Sequence, residues 1–380
     1  MPLDTEVDKL LDSTMILNGW NLEWLWIPHR ISKLGIGIEN ISVTNNSVSG
    51  ILQPSMLGGS HGRKIKYDYS LYYSPIKTET TKFFHGRSPT INLIDGKGNG
   101  SVELDAKLCG VNGLDKHQYA IILRGFNFNT LAPYENYGFT TKGLGAWVLP
   151  GIIKNDKLKF DFEMRLFAAT PKHNWFTQFW TDWLDNRRLR KCENYKNNLC
   201  GKKNRDPRQV NPGYMSEGYV DYTVVAAPNG HVTNWPDGEK KPSSLYKLKN
   251  LKMPNRFQRV TPIIGTNKIV YPNAFVGING FYYEVNRDID KRQYGIYLQK
   301  THFCNKNFDY DPLSGIMEFN TQAFLMNDPI RFTRHKTLTN VCASFALIQT
   351  HDDHSELREE NYSGRTRSNI NKGSEASFDF

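Results

Sequence analysis

The sequence predicts an all-β protein, and three observations predict it. The first is the run Lys157–Ala169, where Leu158, Phe160, Phe162, Met164 and Leu166 alternate with Lys157, Lys159, Asp161, Glu163 and Arg165. A period of two puts all five apolar side chains on one face of a strand, whereas a helix would scatter them around its circumference. The second is the aromatic content, 19 Tyr, 21 Phe and 8 Trp, which suits packing on pleated surfaces. The third is punctuation: 30 Gly and 18 Pro break the chain into short alternating runs, as many strands joined by turns require. Lys157–Ala169 is therefore read as a backbone element of a large antiparallel sheet, with the rest of the chain covering its apolar face.

From the N-terminus, residues 3–11 suit one short helical turn. Trp20, Trp24 and Trp26 follow in a run that ends at Pro28, which bars a central strand from continuing through it. Ile36, Ile38, Ile41 and Val43 mark a strand. Pro54–Arg63 reads as a turn-rich loop, and Ile65, Tyr67, Tyr69 and Leu71 mark the next strand. Asp95–Gly100 is a strong hairpin signal. It leads into a strand with Val102, Leu104, Ala106 and Leu108 facing inward. Gln118–Arg124 is a short apolar strand, and Phe128–Val148 reads as an aromatic loop. Trp175, Phe176, Phe179, Trp180 and Trp183 have the spacing of an amphipathic helical turn or two. Further strands are predicted at 219–227, 261–270, 274–285, 293–300, 315–326 and 340–349. Residues 351–380 have almost no apolar content and read as a polar extended or mobile tail.

Lys and Arg number 48 against 38 Asp and Glu, a net charge of +10 that favours an anionic partner. Five cysteines without a C-x-x-C pair indicate neither a disulfide framework nor a thiolate zinc site, so free thiols are expected. The acidic N-terminus does not have the pattern of a signal peptide, and no apolar run approaches the length of a membrane helix, so a soluble chain is expected.

Four motifs bear on chemistry. Gly58–Gly62 matches the G-x-S-x-G of serine hydrolases around Ser60. That elbow needs a strand before it and a helix after it, whereas here Pro54 precedes it and a strand-like run follows. Asp95–Gly100 has the start of a calcium loop, but Lys97 and Ala106 occupy positions that need oxygen ligands, which leaves a hairpin turn. His351, Asp352, Asp353 and His354 are candidate ligands for a divalent cation, against the alternative of a solvated charge cluster. The segment 187–208 carries Arg187, Arg188, Arg190, Lys191, Lys196, Lys202, Lys203, Arg205 and Arg208 against Glu193 and Asp206. It is either a phosphate-contacting loop or a solvated one. No cluster pairs a nucleophile with a base and no cofactor fingerprint is present, so the sequence gives no reason to expect an enzyme. Leu114–Leu123 resembles Ile289–Leu298, which suggests either a tandem repeat or convergent turn-plus-strand chemistry.

Two stretches resemble capsid proteins of the parvovirus family, especially the arthropod-infecting densoviruses. Tyr294–Phe303, a polar loop and then Ser314–Met326 resemble the last two jelly-roll strands of those proteins. Gly19–Pro28 is similar to a Trp-rich run that precedes a sheet strand. The glycine-rich N-terminal run and phospholipase domain frequent in the family are missing from the sequence. The resemblance implies an antiparallel eight-stranded jelly-roll β-sandwich over residues 1–350 with long inserted loops, and 351–380 as the tail. It further implies self-assembly into a small icosahedral shell, packaging of single-stranded DNA and attachment to a host-cell receptor. Assembly would take place in the host cell, in its nucleus, and the mature location would be the virion. No cofactor would be required beyond a possible divalent cation. Trp180 and Trp183 become interface candidates. Arg187, Arg188, Arg190, Lys191, Lys202, Lys203, Arg205 and Arg208 become the candidate DNA contacts. The alternative from the residues alone is a tandem β-sandwich that binds carbohydrate or lipid, with a serine hydrolase using Ser60 behind it.

Overall fold

A computed structural model describes residues 10–24, 33–43, 47–57, 63–72, 81–94, 96–130, 140–169, 216–235, 246–251, 255–260, 270–285, 300–326, 339–351, 362–366 and 374–379. Of the described chain 77% lies in strands and none in a helix, and the sheets are antiparallel. In chain order the strands are β1 (Thr14–Trp24), β2 (Lys33–Val43), β3 (Ser47–Leu57), β4 (Arg63–Tyr72), β5 (Lys82–Arg87), β6 (Ile91–Leu93) and β7 (Lys97–Asp105). They continue as β8 (Tyr119–Thr130), β9 (Thr140–Val148), β10 (Ile152–Lys154), β11 (Lys157–Ala169), β12 (Ser216–Ala226), β13 (His231–Trp235) and β14 (Tyr246–Leu251). The last seven are β15 (Asn255–Val260), β16 (Asn273–Val285), β17 (Lys300–Asp311), β18 (Ile316–Met326), β19 (Thr339–Thr350), β20 (Tyr362–Thr366) and β21 (Ser374–Asp379).

These strands form three sheets. A seven-stranded sheet runs β21-β3-β2-β8-β12-β5, with β6 also on β12. An eight-stranded sheet runs β10-β11-β9-β16-β19-β13, with β7 also on β11 and β14 on β19. A six-stranded sheet runs β15-β18-β17-β1-β4-β20.

The alternation that announced β11 is realised in full. Leu158, Phe160, Phe162, Met164 and Leu166 are buried, Lys157, Lys159 and Asp161 are exposed, and Glu163 and Arg165 are intermediate. β7 pairs with β11 from Lys157↔Asp105 to Arg165↔Lys97. β9 pairs with Phe162–Ala169 and β10 with Lys157–Lys159. The apolar face reaches the seven-stranded sheet through Phe160, whose ring meets Tyr222 of β12 edge-on at 4.8 Å.

All three sheets meet at Trp20. Its ring, on β1, stacks on Phe303 of β17 at 5.1 Å within its own sheet. It also meets Phe126 of β8 at 5.2 Å and Phe281 of β16 at 4.6 Å, both edge-on. Such offset and edge geometries favour aromatic pairs beyond the area they bury. Close backbone approach makes room for these rings. A Cβ on Gly19 would strike the backbone of Phe303 and Cys304.

Several sequence expectations are corrected. Pro54 and the residues up to Leu57 belong to β3 rather than to a loop. β21 pairs with Ser47–Leu52, so among the described residues Pro54 lies where β3 has a partner on one side only, a position sheets tolerate for proline. β7 ends at Asp105, and Leu108 sits in the following turn at 50% exposure rather than facing inward. Of the aromatic loop expected over Phe128–Val148, Phe128–Thr130 instead close β8 and Thr140–Val148 form β9, while 131–139 lie outside the described residues. The polar loop expected after Phe303 is the second half of β17, which pairs with β18 through Asp311↔Ile316 across a tight turn with Gly315 at φ 70°. The hairpin expected near residue 95 is present. Ile94 and Lys97 exchange both backbone hydrogen bonds, and Gly96 supplies the positive φ.

Within 351–380, β20 pairs with β4 and β21 with β3, so this segment contributes an edge strand to two sheets. The predicted helical turn at 3–11 lies almost wholly outside the described residues. The predicted strands at 261–270 and 293–300, and the second copy of the Leu114–Leu123 similarity, fall there for all but a residue at most.

Candidate functional site

The most concentrated chemistry in the described body is a charged cluster within the seven-stranded sheet. It is assembled from four strands whose register brings single polar residues together. Asp221 of β12 pairs with Arg87 of β5 on one side and Gly125 of β8 on the other. At that point β8 bulges, and Arg124 is the extra residue. Gly37 of β2 is the Cα partner of Gly125, and a Cβ on either glycine would crowd the Asp221 carboxylate. Those glycines therefore leave the space that a carboxylate needs inside a sheet.

Arg87 Nε donates to Asp221 Oδ1 at 2.7 Å and Arg87 also donates to Glu39 of β2. Asp221 is 3% exposed, while the Arg87 guanidinium is partly solvated and lies 4.3 Å above the Tyr219 ring. Burial disfavours the charge on Arg87, but Asp221, with Tyr219 and Glu39, outweighs burial and holds the guanidinium above its usual range. Arg124 is buried. Burial pulls its guanidinium below the usual range, with Asp221 opposing and Arg87 adding to the fall. Burial, then the Asp221 charge, pushes the Tyr219 phenol up to about 12.

His85 of β5 adjoins this cluster at 5% exposure. Its Nε2 shares a 3.1 Å hydrogen bond with Thr14 Oγ1 of β1, and its Nδ1 a 2.9 Å one with Thr223 Oγ1 of β12. Burial, and secondarily the Arg124 charge, hold the imidazole well below its usual titration range. The cluster is thus two guanidinium groups balanced by two carboxylates beside a neutral imidazole. Its members neutralise one another, which suits a structural and pH-responsive role.

A second grouping joins strand ends of the eight-stranded sheet to the turn that precedes β8. His117 stacks on His231 at 5.3 Å, His231 lies 6.4 Å from Tyr271, and Tyr271 lies 4.8 Å from His351. Val232 N donates to His117 O at 2.6 Å, and Gln118 Nε2 donates to Pro228 O at 2.6 Å. Tyr310 Oη donates to Tyr271 O at 3.0 Å.

Of the candidate metal ligands, His351 follows β19 and is exposed, with its ring against Tyr271. Asp352, Asp353 and His354 lie outside the described residues, and among the described residues no group of three metal-ligating side chains occurs. Trp180, Trp183 and the whole of 187–208, with Arg187, Arg188, Arg190, Lys191, Lys202, Lys203, Arg205 and Arg208, lie outside the described residues, as does Ser60. Cys109 and Cys304 are buried free thiols.

Sequence reasoning missed the charged cluster. The available signal was an ionisable residue inside an apolar run: Asp221 within 219–227, and Arg124 closing 118–124. Comparison with protein-family models, curated proteins and solved structures gives no match.

Proposed function

We propose that this chain is the subunit of a viral shell: a capsid protein that closes into a small icosahedral particle around single-stranded DNA and attaches to a host-cell receptor. The observation that carries the reading is the pairing of β1 with β17. The two stretches that resemble densovirus capsid proteins lie at opposite ends of the sequence, yet Gly19 is the Cα partner of Cys304 and Trp20 of Phe303. β18 lies next in the same sheet. Winding a long antiparallel hairpin into a roll brings its first and last strands side by side, which is how a jelly roll limits its open edges. In this reading an eight-stranded roll is the kernel of the three sheets, and the further strands enlarge it.

Trp180 and Trp183 are proposed as anchors between subunits, since buried tryptophans dominate the energetics of interfaces. The Arg187–Arg208 segment is proposed to contact packaged DNA through phosphates, without base specificity. Size-exclusion chromatography with negative-stain microscopy tests the reading. It predicts a discrete megadalton particle that protects DNA from nuclease, and a stable 43.7 kDa monomer at all concentrations overturns it.

A further inference from the structure

We propose that His85 is an acid-operated latch holding the start of β1 on the seven-stranded sheet. The attachment at this corner is small and local. Leu11 and Phe83 exchange two backbone hydrogen bonds, Leu11 N to Phe83 O at 2.9 Å and Phe83 N to Leu11 O at 2.8 Å. Thr14 is tied to His85, and at the rim Lys82 pairs with Asp12. From Thr14 onward β1 is paired with β4, and from Gly19 also with β17. The corner at 11–13, with the Thr14 hydroxyl, can therefore open while the backbone of β1 stays in its sheet, a local unfolding of the kind native proteins undergo.

The groups around the imidazole decide how it responds to acid. β12 contributes Thr223 and β8 contributes Arg124, which in turn feels Asp221 and Tyr222 of β12 and Glu39 of β2, while Tyr219 of β12 lies against Arg87. β5 itself contributes Arg87 and Lys82, and β1 contributes Thr14, with Asp12 just before it. Arg87 and Arg124 balance Asp221 and Glu39, and Lys82 balances Asp12, so a neutral His85 leaves the corner electrically even. Imidazole is the one side chain of these types that ordinarily changes charge between about pH 5 and 8. A proton on His85 adds an unbalanced cation, buried and beside Arg124, where water cannot solvate it. Lifting residues 11–13 and the Thr14 side chain away from β5 uncovers the ring and relieves that charge. Acid then selects the open corner, because the open form binds a proton that the closed form excludes.

Amide hydrogen exchange on the full chain at about pH 7.5 and about pH 5, corrected for intrinsic rates, tests the latch. Protection at Leu11 and Phe83 is expected to fall by about tenfold or more relative to β11 amides on acidification, because the open corner takes up a proton near the ordinary imidazole value and the closed one does not. His85→Gln, which cannot titrate, is expected to abolish that difference. Protection at Leu11 and Phe83 that follows β11 at both pH values overturns the proposal, and so does an undiminished acid loss in His85→Gln. Should that variant fail to fold, the His85 ring resonances of the wild-type chain replace it. The ring must titrate only where protection at Leu11 and Phe83 has been exhausted, and a ring that titrates while those amides are still protected overturns the latch. None of these outcomes depends on whether the chain assembles into a shell.

Discussion

The aromatic junction around Trp20 and the charged cluster around Asp221 are both buried, and both join strands distant in sequence. They differ in what holds them. The junction joins three sheets through Trp20, Phe126, Phe281 and Phe303, none of which titrates, so its contribution is the same at any pH. The cluster holds its strands by cancelling charges that would be costly alone, so its contribution depends on every partner keeping its ionisation state. A large β body can therefore be locked at one place and conditional at another.

Removing the ring at the centre of the junction should have the largest effect. Trp20→Ala, and likewise Phe162→Ala on the β11 face, should cost about 3–5 kcal/mol in denaturant unfolding, independent of pH. A melting temperature within a degree or two of wild type would remove either ring from the core. In the cluster, Asp221→Ala strands Arg124 and Arg87. It should cost about 2–3 kcal/mol, less than a fully buried pair because Arg87 is 45% exposed on its side chain.

The pH response separates the two regions most sharply. The folded titration point of His85 is lowered, so the unfolded chain takes up a proton that the native one refuses. Stability should be full above about pH 6.5, the ordinary imidazole value, and decline as pH falls from there toward the lowered folded value. The slope between about pH 6.5 and 5 should flatten in His85→Gln and stay unchanged in Trp20→Ala, as urea titrations at several pH values would reveal. Gly280→Ala should cost about 1–3 kcal/mol, because its Cβ would collide with Trp147 and the sheet must shift. Least of all, Glu103→Gln, which breaks the exposed pair with Lys157, should change stability by under about 0.5 kcal/mol. A larger loss there would mean that the wet face of β11 is covered.

The sequence by itself determined what short-range pattern can carry. The alternation in 157–166 specified a strand and its buried face, residue by residue, because a period of two admits one half-buried conformation. The run at 315–326 emerged as β18 for the same reason, and those at 274–285 and 340–349, apolar on consecutive residues, as β16 and β19 buried on both faces. Polar stretches were read less well. In Lys306–Asp311 the polar majority outweighs a short alternation, Phe308 and Tyr310 against Asn307, Asp309 and Asp311, yet β18 draws it into β17 through the ladder from Asp311↔Ile316. Backbone hydrogen bonds do not ask for apolar side chains. Only the tertiary structure could decide which strands become neighbours. No local pattern says that Gly19 will face Cys304, or that Glu39, Arg87, Arg124 and Asp221 will converge from four strands. Those meetings depend on strand order and on one bulge at Arg124, and both are set by the packing of whole sheets rather than by any stretch of the chain read alone.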